Sequence, residues 1–261
     1  MATSSQRKFS PRALVERNGS TLACGLFVVI VGLGASVERR SELAVYLLSF
    51  WHYYLYWLAF AFGAVRFAVF KRDAVAMKSV SVAILATAYF AVPLDLVSLA
   101  VVAGGALLNI RAATVLGFER TYYGHEIAGM PPLRVTAFPY SLIAHPMIAG
   151  NIAAFGGTLL NPEFARQWWP LACTHVALNI GLLAMELADA PRARLVRFGS
   201  IVFAGVFFAA AFVLPGLVSQ TPISMSPVAW LQIAAAVACA GALYRSYARV
   251  SEPEGISRRT R

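Results

Sequence analysis

The sequence predicts an all-α, polytopic transmembrane helix bundle of about eight spans, and three observations carry it. Hydrophobic residues make up 59% of the 261 positions and charged residues 13%, with a mean hydropathy of +0.67. Soluble domains sit near one-quarter charged, so a soluble fold is excluded. The apolar residues form long uncharged runs instead of amphipathic stripes. All but three of the 22 Lys and Arg residues fall in alternate intervals between those runs.

The first span is expected at 21–37, after a basic stretch (Arg7, Lys8, Arg12, Arg17), and the second at 43–65. The run 77–110, whose only charges are Lys78 near its start and Asp95, would be about 51 Å long as one helix, against roughly 30 Å of hydrocarbon. Pro93 and Asp95 interrupt it, so it reads as a tight hairpin of two spans, with Lys71, Arg72 and Lys78 in the loop before it. Further spans follow at 136–160, 168–187, 201–217 and 228–243. With a cytosolic N-terminus, only Arg39, Arg40 and Arg166 face the far side, as the positive-inside rule requires. Both termini are then cytosolic, and the net charge of +10 suits an anionic lipid surface better than nucleic acid.

The organisation expected is a cytosolic segment (1–18), accessory helices (19–93), a core (94–190), a C-terminal hairpin (191–247) and a cytosolic tail (248–261). The first run is either an uncleaved span or, with Gly34-Ala35-Ser36 resembling a cleavage site, part of a removed presequence. Cys24, Cys173 and Cys239 lie in apolar runs and read as small buried hydrophobes. The histidines have no short ligand spacing, so no metal is expected. Endoplasmic reticulum, organellar and bacterial inner membranes all remain open, as does the oligomeric state.

Chemistry concentrates on one side. Residues 117–151 read GFERTYYGHEIAGMPPLRVTAFPYSLIAHPMIAGN, dense in Gly, Pro, aromatic and charged residues. Such a segment folds back against a bundle instead of looping freely. His145-Pro146 is either a reactive pair or an interfacial histidine before a helix-starting proline. Glu186 ends a long uncharged run, where an acid is expensive unless it serves or pairs; Arg192 and Arg194 are the alternative partners. His175 and Asn179, one turn apart, either bond each other or face a cavity. Gly104-Gly105 either admits a flat ligand or packs helices.

These residues resemble the membrane-embedded phospholipid methyltransferases of the phosphatidylethanolamine N-methyltransferase type, grouped with isoprenylcysteine carboxyl methyltransferases. The resemblance rests on Gly104-Gly105; on Gly117, Phe118, Thr121, Tyr122 and Gly124; and on Arg134, Val135, Thr136, Phe138, Pro139 and Tyr140. It continues through His145, Pro146, Met147 and Gly150 and ends at Glu186. In this sequence the family's acidic pair is reduced to Glu186 beside Met185.

The resemblance implies methyl transfer from S-adenosylmethionine to a membrane lipid or lipophilic acceptor, first a phosphatidylethanolamine-like amine. Another lipophile, thiol or carboxyl acceptor is the alternative, as is a non-catalytic membrane protein or transporter that retains the fold. It implies a cytosolic-side cofactor pocket formed by Gly104, Gly105, Tyr122, Gly124, His145, Pro146, Gly150 and Glu186. His125 and Glu126 stand as the catalytic candidates, with His125 as the base that frees the acceptor amine.

Overall fold

A computed structural model describes residues 11–39, 41–62, 65–187, 213–214 and 226–251. Among them every regular element is helical, with no strand. The helices are α1 (Pro11–Glu38), α2 (Ser41–Phe62), α3 (Phe67–Phe90), α4 (Leu96–Leu116), α5 (Phe118–Thr121), α6 (Gly124–Ala128), α7 (Pro146–Thr158), α8 (Pro162–Leu187) and α9 (Pro227–Ser251). Stretches of α1, α3, α4 and α9 are long and apolar enough to cross a membrane. The expected span at 201–217, apart from 213–214, and the loop bearing Arg192 and Arg194 lie outside the described residues.

Helix α2 is the hub, packing against α1, α3, α8 and α9. Its aromatic side chains make the largest part of the core, with Tyr46, Phe50, Trp51 and Tyr53 fully or almost fully buried. Small and polar residues let its neighbours approach, as bilayer helices require. Ser81 donates to the Ser49 carbonyl at 2.7 Å across α2 and α3. Gln232 of α9 donates to the Val31 carbonyl of α1 at 3.0 Å, in the space that Gly34 leaves free.

The expected hairpin is present. Helix α3 ends at Phe90, and Asp95 caps α4 by accepting from the Ser98 N–H at 2.7 Å. Asn161, before α8, donates to the Pro93 carbonyl at 2.9 Å and accepts from the Glu163 and Phe164 N–H groups. The α3–α4 and α7–α8 turns therefore share one end of the bundle.

Two boundaries differ from expectation. Lys71, Arg72 and Lys78 do not lie in a loop: α3 begins at Phe67, and no Pro or Gly interrupts it. Lys71, Arg72 and Asp73 find partners on other elements. The buried Asp73 carboxylate accepts from Ser20 at 2.6 Å and from Thr21, and Arg72 donates to Asn18 at 2.8 Å. The run 136–160, expected to span as a helix, is helical only over the 13 residues of α7, about 20 Å long. Pro139 and Pro146 exclude a continuous helix here, since each lacks an amide donor. Residues 136–145 form turns, including a cis Phe138–Pro139 bond.

Helix α7 lies along α4 in the most extensive helix pair of the fold. A Cβ on Gly105 would stand 2.5 Å from the Ala154 nitrogen and the Gly150 oxygen, and one on Gly150 would stand 2.6 Å from the Gly105 oxygen. Ser98 ties the pair by donating to the Gly157 carbonyl at 2.8 Å. This contact holds the start of α7 beside the end of α4, which builds one wall of the cavity described next.

Candidate functional site

The Gly- and Pro-rich segment 117–145 folds onto the bundle. Gly117, at φ 91°, makes the bend between α4 and α5 that a side chain would resist. Lys71 of α3 holds the segment through Glu119 at 2.7 Å, and Arg120 donates to the Pro131 carbonyl at 2.7 Å. Tyr123, itself left-handed at φ 61°, packs edge-on against Phe60 and Tyr56 of α2, with centroids 4.6 and 5.5 Å away. Gly124 admits Met130 and the Glu119 carbonyl into the space of a side chain.

Between this segment and α2, α3, α4, α7 and α8 lies a cavity of about 240 Å³. Its polar lining includes Lys78, Arg120, Glu126, Tyr140, His145 and Glu186. His145 stands at the N-cap position of α7 without a side-chain capping bond, and Pro146 occupies the first helical position, where its lack of an N–H costs nothing. From there His145 Nδ1 reaches Glu186 Oε2 at 3.0 Å across 41 residues of chain. The carboxylate at the end of α8 is thus fixed against the start of α7. Glu126 of α6 lines the same cavity, so a second carboxylate accompanies Glu186 from a different element.

Tyr56, Tyr123 and Tyr140 add phenolic rings. Burial, and after it the nearby Glu186 charge, pushes the Tyr123 phenol above its ordinary range. The Tyr140 hydroxyl is buried and has no partner among the described residues. The inner wall is a chain of amides. Asn109 donates to Asn151 at 2.8 Å, Asn151 to Asn179 at 3.0 Å, and Asn179 to the Tyr53 hydroxyl at 2.9 Å. His175 sits behind it, 3.2 Å from that hydroxyl and stacked on Phe155 at 4.3 Å.

The structure therefore brings together Glu126, His145, Pro146 and Glu186 of the residues expected from sequence. Tyr122 and Gly124 are buried in the folded segment beside the cavity and do not line it. Gly105 and Gly150 meet at the α4–α7 contact, and Gly104 faces open space. His125 is exposed, outside the lining, with Nδ1 2.5 Å from the Met130 carbonyl. Lys78, Asn109 and Tyr56 were missed by sequence reasoning. The available signal for Lys78 and Asn109 was a charged or amide side chain within a largely apolar stretch, which marks function or pairing at membrane depth.

Residues 94–188 match the phospholipid methyltransferase family model, which covers the stretch whose motifs show the resemblance. No curated protein and no solved structure matches the chain.

Proposed function

We propose, on the premise of this match to the phospholipid methyltransferases, that the chain is an integral membrane, S-adenosylmethionine-dependent methyltransferase with a lipid amine as acceptor. The observation that carries the reading is the His145–Glu186 contact inside a cavity walled largely by the matched segment. When bound, S-adenosylmethionine supplies a methyl carbon activated for attack by an amine.

The residues present fit such a group. A ligand with amino and hydroxyl donors and a positive charge needs carboxylates, and Glu186 and Glu126 line the cavity. His145 holds the Glu186 carboxylate in one orientation, which lowers the cost of ordering it on binding. The unpartnered Tyr140 hydroxyl is a donor awaiting an acceptor. The rings of Tyr56, Tyr123 and Tyr140 suit a cation, which is attracted to an aromatic face. Methyl transfer depends chiefly on alignment, so a site built from five packed helices and a pinned loop is suited to it. Glu126 is the lining carboxylate that takes up the proton of the acceptor amine; His125 has its ring nitrogen turned to Met130.

The same reading orients the protein. The cavity lies at the end of the bundle that carries Lys71, Arg72, Lys78 and Arg120, which the positive-inside rule assigns to the cytosol. Eight spans with both termini cytosolic follow, with α7 completed across the bilayer by the irregular residues 136–145. Non-helical backbone is tolerated at that depth where it lines a cavity, as Tyr140, Ala144 and His145 do.

The test is incubation of the purified full chain with methyl-labelled S-adenosylmethionine and a total lipid extract. Label in an amine-bearing phospholipid is the expected product. Label in a different lipid class would overturn the acceptor. Cofactor binding with no labelled product would favour a non-catalytic membrane protein retaining the fold.

A further inference from the structure

Lys78 brings a positive charge into the lining of this site. It comes from α3, outside the residues that match the family, and lies about 16 Å along that helix from Phe67. Its side chain lines the cavity together with Tyr56, Tyr123, Asn179 and Glu186. The other cations of α3 are engaged: Lys71 bonds Glu119 at 2.7 Å, and Arg72 bonds Asn18 and approaches Asp73 at 3.7 Å. Arg120, also in the lining, bonds the Pro131 carbonyl. Glu186 is held by His145. Among the described residues no carboxylate stands within ion-pair distance of Lys78, and none accepts a hydrogen bond from it.

An ammonium group within an apolar helix is costly without a counter-charge. It is stable here if the ligand supplies that charge. We propose that Lys78 is the oxyanion-binding group of the cavity and receives the phosphate of the lipid acceptor. The inference rests on the methyltransferase reading and narrows it. Two carboxylates serve the cationic parts of the ligands, and Lys78 selects an acceptor that carries an anion beside its amine over a neutral lipophile. The carboxylate of the cofactor is the other source of the same chemistry, so the experiment must separate the two.

Binding is measured by calorimetry on the purified full chain in uncharged detergent, with three probes used singly. These are a short-chain phosphatidylethanolamine, a 2-aminoethyl alkyl ether of matched length (the amine without the phosphate) and S-adenosylhomocysteine. Lys78→Met should weaken phosphatidylethanolamine binding about tenfold to a hundredfold, the range of a hydrogen bond to a charged group. It should leave the ether and S-adenosylhomocysteine unchanged, and Lys78→Arg should retain most of the affinity. Unchanged phosphatidylethanolamine binding in Lys78→Met would overturn the proposal. A loss confined to S-adenosylhomocysteine would also overturn it, by assigning Lys78 to the cofactor carboxylate, and equal loss of all three probes would make its role structural. If Lys78→Met does not fold, the wild type decides, because equal affinity for the phosphatidylethanolamine and the ether contradicts the proposal. Failure of the wild type to bind S-adenosylhomocysteine would instead defeat the cofactor reading and leave the phosphate preference to stand on its own arm.

Discussion

Tyr140 and His125 show how the site divides residue by residue. The Tyr140 hydroxyl is buried without a partner among the described residues, and an unmade hydrogen bond costs about 1–3 kcal/mol. Tyr140→Phe removes that cost, so thermal unfolding of the ligand-free protein should shift upward or stay in place. Affinity for S-adenosylhomocysteine should fall in the same variant. A lower unfolding temperature with unchanged affinity would mean that the hydroxyl serves the fold. His125 behaves oppositely. It is exposed, and its ring nitrogen faces the Met130 carbonyl. Surface changes of that kind are usually within about 0.5 kcal/mol, so His125→Ala should leave turnover on an amine acceptor within about twofold. A larger loss that is rescued at higher pH would restore His125 as the base. Sequence reading placed both residues in the correct segment but could not distinguish them, because a left-handed Tyr123 and the turns at 136–145 decide which side chains face inward.

At the scale of elements, the contact of α4 with α7 is where close packing and site geometry meet. The two adjacent glycines of α4 differ sharply in surroundings. A Cβ on Gly104 meets nothing within 4 Å, whereas one on Gly105 meets α7 backbone at 2.5 Å. Gly104→Ala should therefore unfold like the wild type in detergent. Gly105→Ala should be destabilised by about 1–3 kcal/mol, the usual cost of overpacking. Cofactor affinity should fall with it, because α7 carries His145. Equal behaviour of the two variants would contradict the packing described. Much of this was legible. Pro93 and Asp95 marked the hairpin, since one lacks an amide donor and the other caps a helix. The start of α3 was not legible, because Lys71, Arg72 and Asp73 read as a polar loop until their partners on α1 and α5 are seen. The shortness of α7 was hidden by the apolar character of 136–145, which hydropathy does not separate from helix.

For the whole molecule, contacts between turns define two ends. Asn161 reaches Pro93 at one, and Lys71 reaches Glu119 at the other. The topology proposed above places the first outside and the second, with the cavity, in the cytosol. In a background without native cysteines, a cysteine at Ser41 or Leu94 should react with an impermeant reagent added outside, and one at Met130 only after permeabilisation. Labelling of all three from one face would contradict the arrangement. The helical, apolar character of the molecule was readable from composition. The closing of the site was not, since Glu126, His145 and Glu186 converge through tertiary packing that no local spacing encodes. The central claim is that this convergence holds a positively charged cofactor through Glu186. Calorimetric titration of S-adenosylmethionine into wild type and Glu186→Gln tests it most directly, because the substitution keeps size and hydrogen bonding while removing the charge. The account predicts binding to the wild type and at least a tenfold loss in a variant that unfolds at the same temperature. Equal affinity in the well-folded variant would contradict it.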